Sequence, residues 1–547
     1  MEPTKQQEAI LNYTGNSVVI ATPGSGKTFI LSHMIKANLT CLSEHQGLIA
    51  ISYTNKASNE LRNRSLSNGE NPLSSFFGTI DRFYISEIII PFGKHIFGIP
   101  KKDFEVITID KLPKEDQNNF SWFNRDLTLD KLTSENIDIL GYYFKKGIVL
   151  LETTGVFANY IFDNSLACQK YLKARYRYLY IDEYQDSGYA QHDLFLKISK
   201  LGITSVAVGD LNQSIYAFSG KSSKYLDELN KSENFKSFTL SKNHRCHSSI
   251  INYSNYFLNT NTNLLETEEN NVGFFRIEGN EISISKWIDQ NIDALINEFK
   301  ISKKNKIALL VRGERTGNIL NDNLTIPHKY STTNELDSNL NIWSGIFSNL
   351  LFFVHDTKIR FIEVVEAFKL YDSFKKKELE TLNKRKKELI QEFNSSSFNS
   401  SKLVQCFIKI AEIIAPNSKS QESIDLLNRV VSNTSLLETY KPAADDEVQI
   451  MTLHKSKGLE FELVLHLDLY KWILPNEYNE DPAQDINLHY VGITRAIKAC
   501  ILISSTCRTR IRDGKAEQLD GADSPFIWNN DIEKLRRFSC KGEVKDE

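Results

Sequence analysis

"IATPGSGKTF", residues 20–29, directly follows the apolar run Ser17-Val18-Val19-Ile20. A short apolar run bounded by turn residues reads as a buried strand, and the residues from Lys27 onward as the start of a helix. A chain turning so tightly between them wraps its backbone N–H groups around phosphate, with the positive end of the helix dipole behind. The spacing fits the phosphate-loop pattern G-x-x-x-x-G-K-[ST]: Ala21 stands at the first position, and Thr22, Pro23, Gly24, Ser25 and Gly26 form the cradle. Lys27 is the candidate point charge on the outer phosphates, and Thr28 the candidate hydroxyl ligand of Mg²⁺. The loop alone says nucleoside triphosphate; the competing reading is a strand-turn-helix connection that happens to carry a lysine.

Its strongest companion is "YLYIDEYQD", residues 178–186. An apolar strand here delivers Asp182 and Glu183 together at its C-terminal end, where α/β sheets bind ligands. Asp182 would hold Mg²⁺, directly or indirectly, and Glu183, pointing elsewhere, would polarise the attacking water.

Further apolar runs fall at 48–53 and 205–208, and a second group at 307–311, 448–451, 463–467 and 500–504. Buried parallel strands have this character, so two α/β sheets are expected. The stretches 85–170 and 315–440 read as mainly helical insertions. Within the latter, "FKKKELETLNKRKKELIQEF" (374–393) is a charged helix, either a solvated face or a surface against duplex. With 66 Lys and Arg against 69 Asp and Glu, the formal charge of −3 neither announces nor excludes nucleic acid. Seven cysteines without a C-x-x-C pair suggest no disulfide framework or metal site. The absence of a basic-then-apolar leader and of long apolar stretches gives the expectation of a soluble, cytoplasmic protein with no membrane partner.

The acidic motif, D-E-x-Q-D, is where the chain resembles the superfamily 1 DNA helicases of the UvrD, Rep and PcrA group. "QQEAI" (6–10) resembles that group's adenine-reading motif, which implies Gln6 as the base reader. "YTNKASNELRNR" (53–64) and "FGTIDRF" (77–83) resemble its first DNA-contacting motifs, implying DNA contacts at Tyr53, Thr54, Asn55 and Thr79; Asp81 stands where the group usually has His. "VGDLNQSIYAFSG" (208–220) is similar to the motif coupling ATP to DNA. It implies Gln213 as sensor of the terminal phosphate, with Tyr216 and Phe218 at the DNA, and Ser219 replaces an expected arginine. "LSKNHRCHSS" (240–249) gives Arg245 as one phosphate-contacting arginine and His244 where an adenine-stacking Tyr would be. "VQIMTLHKSKGLEFELV" (448–464) implies backbone contacts near Thr452 and His454 and a ribose role for Glu460, and "LHYVGITRA" (488–496) gives Arg495 as the second arginine finger.

The resemblance implies an α/β fold of two RecA-like P-loop units: 1–84 with 171–240, and 241–314 with 441–547. The insertions would be 85–170 and a reduced 315–440. It also implies an ATP- and Mg²⁺-dependent translocase or helicase of 3′-to-5′ polarity on single-stranded or tailed DNA. Tyr53 and Phe218 are either base-stacking platforms or core aromatics, and RNA shares the stacking and phosphate chemistry. The short second insertion resembles compact members such as the helicase-like subunit of the Gabija anti-phage system, which works with a nuclease. No nuclease constellation is visible, so a nuclease subunit would be another polypeptide. Repair and defence both stay open, as does the rival reading of a regulatory switch that licenses a partner with little unwinding of its own.

Overall fold

The computed structural model describes residues 3–541 apart from 68–69, 103, 125–126, 217–219, 333, 340, 370–373, 396–398, 477–480 and 513–514. Strands β1 (Ser17–Ala21), β2 (Gly47–Ile51) and β3 (Phe76–Gly78) are followed by a small pair, β4 (Glu105–Ile107) and β5 (Ile148–Leu150), and then by β6 (Tyr176–Ile181), β7 (Thr204–Gly209) and β8 (Lys236–Leu240). Leaving the small pair aside, these form one parallel sheet in the order β3-β2-β6-β7-β1-β8. The apolar runs have no polar alternation because both faces are covered. Val18, Ile49, Leu179 and Ala207 enter one core, while Val19, Leu48, Tyr180 and Val206 enter the other.

A second parallel sheet repeats the plan. It is built from β9 (Val272–Ile277), β10 (Ile307–Val311), β11 (His328–Tyr330), β12 (Val448–Thr452), β13 (Phe461–His466), β14 (Ala496–Ser505) and, beyond the hairpin β15 (Cys507–Arg512) and β16 (Lys515–Asp520), β17 (Phe538–Lys541). The order is β11-β12-β10-β13-β14-β9-β17. Successive residues again divide between two cores: Ala308 and Leu310 on one side, Ile307, Leu309 and Val311 on the other. The fold class is α/β with two parallel sheets and mainly helical insertions, as the sequence implied.

The helices between β3 and β6, including Ile90–Phe97, Ser134–Lys145 and Thr154–Asn164, bury Phe92, Phe144 and Phe157 in the core of the first sheet. The helices between β11 and β12 instead enclose a core of their own around Trp343, Phe347, Leu403 and Phe407. The charged stretch is helix Lys376–Phe393. It buries Leu382 and Leu389 and presents Lys376, Lys377, Lys384 and Lys387 to solvent.

Candidate active site

The phosphate loop begins where β1 ends at Ala21, and helix Lys27–Leu39 follows it. Gly24 and Gly26 both hold positive φ, +68° and +91°, a region that residues with a Cβ rarely adopt. The cradle has no spare room either: a Cβ on Gly24 would meet the Asn243 side chain at 2.5 Å, and one on Gly26 the Gln7 amide at 2.9 Å. Thr22 N–H donates to the Leu240 carbonyl at the end of β8, and His244 N–H donates to the Gly24 carbonyl at 2.9 Å. The segment carrying His244 and Arg245 is therefore stitched to the loop itself. Pro23 and Ser25 complete the turn, in which Ser25 Oγ donates to the Thr22 carbonyl. Gln7, which sequence reasoning passed over, is buried and donates to the Ser25 carbonyl, whereas Gln6 is exposed and bonds Ser241.

Opposite the loop, β6 ends on Asp182 and Glu183. Asp182 N–H donates to the Ile51 carbonyl, and Glu183 takes a left-handed conformation at φ 54°. A non-glycine residue there is strained, which throws the two adjacent carboxylates in different directions. Lys27 Nζ lies 3.6 Å from Glu183 Oε1. Burial raises both carboxyls, but Lys27, Lys457 and Arg495 also act on Glu183 and hold it well below the usual range. Asp182, buried beside that charge, is driven upward and shares the deficit. A divalent cation is the group that would relieve such a pair, so the residues fit Mg²⁺, with Thr28 in the first helical turn as the hydroxyl donor. Among the described residues no cluster of three or more His, Cys, Asp or Glu is arranged to hold a metal alone, so the nucleotide's phosphates would complete the shell.

Arg495 comes from the end of the helix before β14 of the second sheet, and Arg245 from the segment between β8 and helix Ser248–Leu258. Arg495 is 2% exposed, and its Nη2 donates to Gln213 Oε1 at 3.4 Å, joining the sheets at the site. Burial and the neighbouring Arg245 lower it to about 10, still charged near neutrality. Gln213 keeps its Nε2 without a hydrogen-bond partner, an unsatisfied buried donor where an anion is expected. Arg245 is held 2.5 Å from Glu460, so an incoming phosphate must draw it away from the residue assigned to the ribose. Lys457 was not anticipated. Its ammonium pairs with Asp186 of the acidic motif and donates to the Gln213 carbonyl at 2.7 Å, a second cross-sheet link.

Tyr53 and Tyr216 stack with ring centroids 4.7 Å apart, and His454 lies 6.1 Å beyond Tyr216. Burial, with Arg312 and Lys457 nearby, lowers His454 to about 4, so its ring is neutral at ordinary pH. Thr54 and Thr79 cap helices, accepting from the N–H groups of Ala57 and Arg82, and Thr452 accepts from Lys455 N–H. Phe218, Ser219 and the Asn55 side chain lie outside the described residues.

Comparison with known proteins agrees with this geometry. Residues 6–219 match an AAA domain model and residues 348–507 the UvrD-like helicase C-terminal domain. The chain is 29% identical to Gabija protein GajB of Bacillus cereus (strain VD045), over 91% of this chain and 94% of that one. It is 25% identical to ATP-dependent DNA helicase Rep of Buchnera aphidicola subsp. Acyrthosiphon pisum, over 97% and 98%, and 23% identical to ATP-dependent DNA helicase PcrA of Bacillus subtilis, over 92% and 82%. The chain is a UvrD/Rep/PcrA-like helicase. Its chemistry is ATP hydrolysis. No described helix of this helicase is long and apolar enough to cross a membrane.

Proposed function

We propose that the chain is an ATP-driven translocase or helicase on single-stranded DNA, moving 3′ to 5′, in DNA repair or anti-phage defence beside a separate nuclease subunit. In this reading residues 1–84 with 171–240 and residues 241–314 with 441–547 are the two motor units, and 85–170 and 315–440 are their insertions. The observation that carries it is the meeting of Arg495 from one sheet with Gln213 from the other, next to Lys27 and Glu183. Lys27 binds the outer phosphates, Glu183 orients and deprotonates water, and Arg245 and Arg495 stabilise charge developing on the transferred phosphoryl group. Thr28 and Asp182 would hold Mg²⁺, which would supply positive charge beside the phosphates. Gln6, His244 and Glu460 recognise the nucleoside. Hydrolysis releases the arginines, the units part, and a strand held on Tyr53, Tyr216, Thr54, Asn55, Thr79, Phe218, Thr452 and His454 advances.

The test is ATPase activity with and without oligo(dT). Single strand should stimulate hydrolysis, and Glu183→Gln should keep nucleotide affinity while losing turnover, whereas Lys27→Ala loses both. Equal rates with and without single strand refute the motor. The regulatory reading, a nucleotide- and DNA-sensing subunit that licenses a nuclease, is favoured by the docking of the second insertion on the first unit through Arg62–Glu366 and on the first insertion through Lys111–Glu422. Poor separation of long duplexes by the chain alone supports that reading; efficient separation removes the need for it.

A further inference from the structure

The aromatic pair at the nucleic-acid face is already capped. Lys221 Nζ lies 4.1 Å from the centroid of the Tyr53 ring, and Lys457 Nζ lies 5.0 Å from that of Tyr216. A gap of 4.7 Å between the tyrosines is too narrow for an ammonium, so Lys221 occupies the face of Tyr53 turned away from Tyr216. The same gap is that of rings in direct contact and leaves no room for a nucleobase between them. While the tyrosines stay stacked, the face of Tyr53 that a base would take is the one that Lys221 covers. The lysine is held there by more than the ring. Asp81, buried and accepting from Thr154 Oγ1 at 3.1 Å, and buried Asp186 both lie within its field.

Resting on the reading of Tyr53 as a base platform, we propose that Lys221 is its gate. Without nucleic acid it covers Tyr53; when a base takes that face, its ammonium moves to the adjoining phosphate. The gate exchanges a cation–π contact for a phosphate contact, so a strand pays for opening and is then held by the same side chain. Asp186 is also the partner of Lys457, which places the gate one acidic residue away from the lysine that joins the two sheets at the ATP site.

The exchange has a signature in salt dependence. Binding of fluorescein-labelled oligo(dT) to the full chain is measured across a KCl series for wild type, Lys221→Met, Lys221→Arg and Tyr53→Ala. Loss of one phosphate contact makes the plot of log affinity against log salt shallower by about 0.7 for Lys221→Met. Loss of the cap makes that variant roughly two- to five-fold tighter at high salt, where the phosphate contact is screened, so its line crosses that of wild type. Lys221→Arg should run parallel to wild type. A Lys221→Met line parallel to wild type overturns the gate, since a merely structural lysine shifts affinity equally at all salts; Lys221→Gln carries the same test should the Met variant not fold. Tyr53→Ala binding as tightly as wild type overturns the platform and the gate together. Weak Tyr53→Ala binding beside a parallel Lys221→Met line overturns the gate alone.

Discussion

The two helical insertions differ in what holds them. The first, between β3 and β6, shares a single core with the first sheet: Phe92, Phe144 and Phe157 pack in the cluster that holds Val18, Ile49 and Leu179. The second, between β11 and β12, has a core without any sheet residue. It meets the first unit through polar contacts, Arg62 with Glu366, Arg82 with the Ala367 carbonyl and Arg360 with Asn63, and the first insertion through Lys111 with Glu422. A shared apolar core moves only by unfolding, whereas a polar docking face can release and rebind at little cost. The comparison teaches that one insertion is part of the motor's rigid frame and the other is a body seated on it.

Core truncation is the strongest way to break that comparison. Phe144→Ala and Phe407→Ala each remove a fully buried ring and should each cost about 3–5 kcal/mol locally. Their consequences should differ. The first weakens the sheet that carries the phosphate loop, so ATP hydrolysis and the main thermal transition fall together. The second should melt the 336–440 unit as a separate, earlier transition while hydrolysis survives. One common transition in both variants, read by calorimetry, would show that the second insertion is not an independent body.

Acid offers a second, smaller separation. His466 and His489 are fully buried in the second sheet's core, with His489 Nδ1 3.0 Å from His466 Nε2, whereas His355 of the second insertion, packed on Phe393, is only half-buried. Burial lowers His466 from 6.5 to about 4. A histidine with a depressed folded value contributes stability above its unfolded value and loses it as pH falls through the window from 6.5 to 4. The loss for His466 alone is at most roughly 3 kcal/mol. The transition of the second sheet should therefore move down with acid between pH 6.5 and 4 by more than that of the second insertion, where burial also lowers His355. Equal movement of both transitions would contradict the assignment.

What the sequence made legible follows the same physics. The runs at 17–20, 48–53, 178–181 and 205–208 are the four interior strands β1, β2, β6 and β7, and those at 307–311, 448–451, 463–467 and 500–504 are interior strands β10, β12, β13 and β14. The strands that escaped notice are mostly edges: β3 and β8 in one sheet, β11 and β17 in the other. An edge strand such as Lys236–Leu240 is covered less completely and keeps polar residues, so it shows no continuous apolar run. At the site, the loop, the acidic pair and both arginines carry local patterns, and the fold brings them together. Gln7 and Lys457 lie within such patterns but without an implied role, and Lys221 lies just outside one. One glutamine or lysine among many becomes distinctive only through a partner far along the chain, as Lys457 does through Asp186. The inward core of the first insertion was likewise invisible, because helical periodicity says which face is buried and not against what.

The smallest effect is also the most specific to the docking face. Arg62 on helix Asn55–Ser65 pairs with Glu366 at the end of helix Phe361–Glu366, and both side chains are mostly covered. Arg62→Glu places two carboxylates face to face; Glu366→Arg does the same with two cations; the two together restore an opposed pair with its direction reversed. Each single change should weaken docking by about 1 kcal/mol, and the double swap should recover most of it. A dye pair, one on the second insertion and one on the first unit, reports the docked population by energy transfer, which should fall in each single variant and return in the double. Helix Asn55–Ser65 follows Tyr53 and Thr54, so a freed insertion should also change how single strand is held while core stability stays put. If both single variants leave the transfer efficiency unchanged, the ion pair does not hold the insertion down, and the contrast between a fused and a seated insertion must rest on the cores alone.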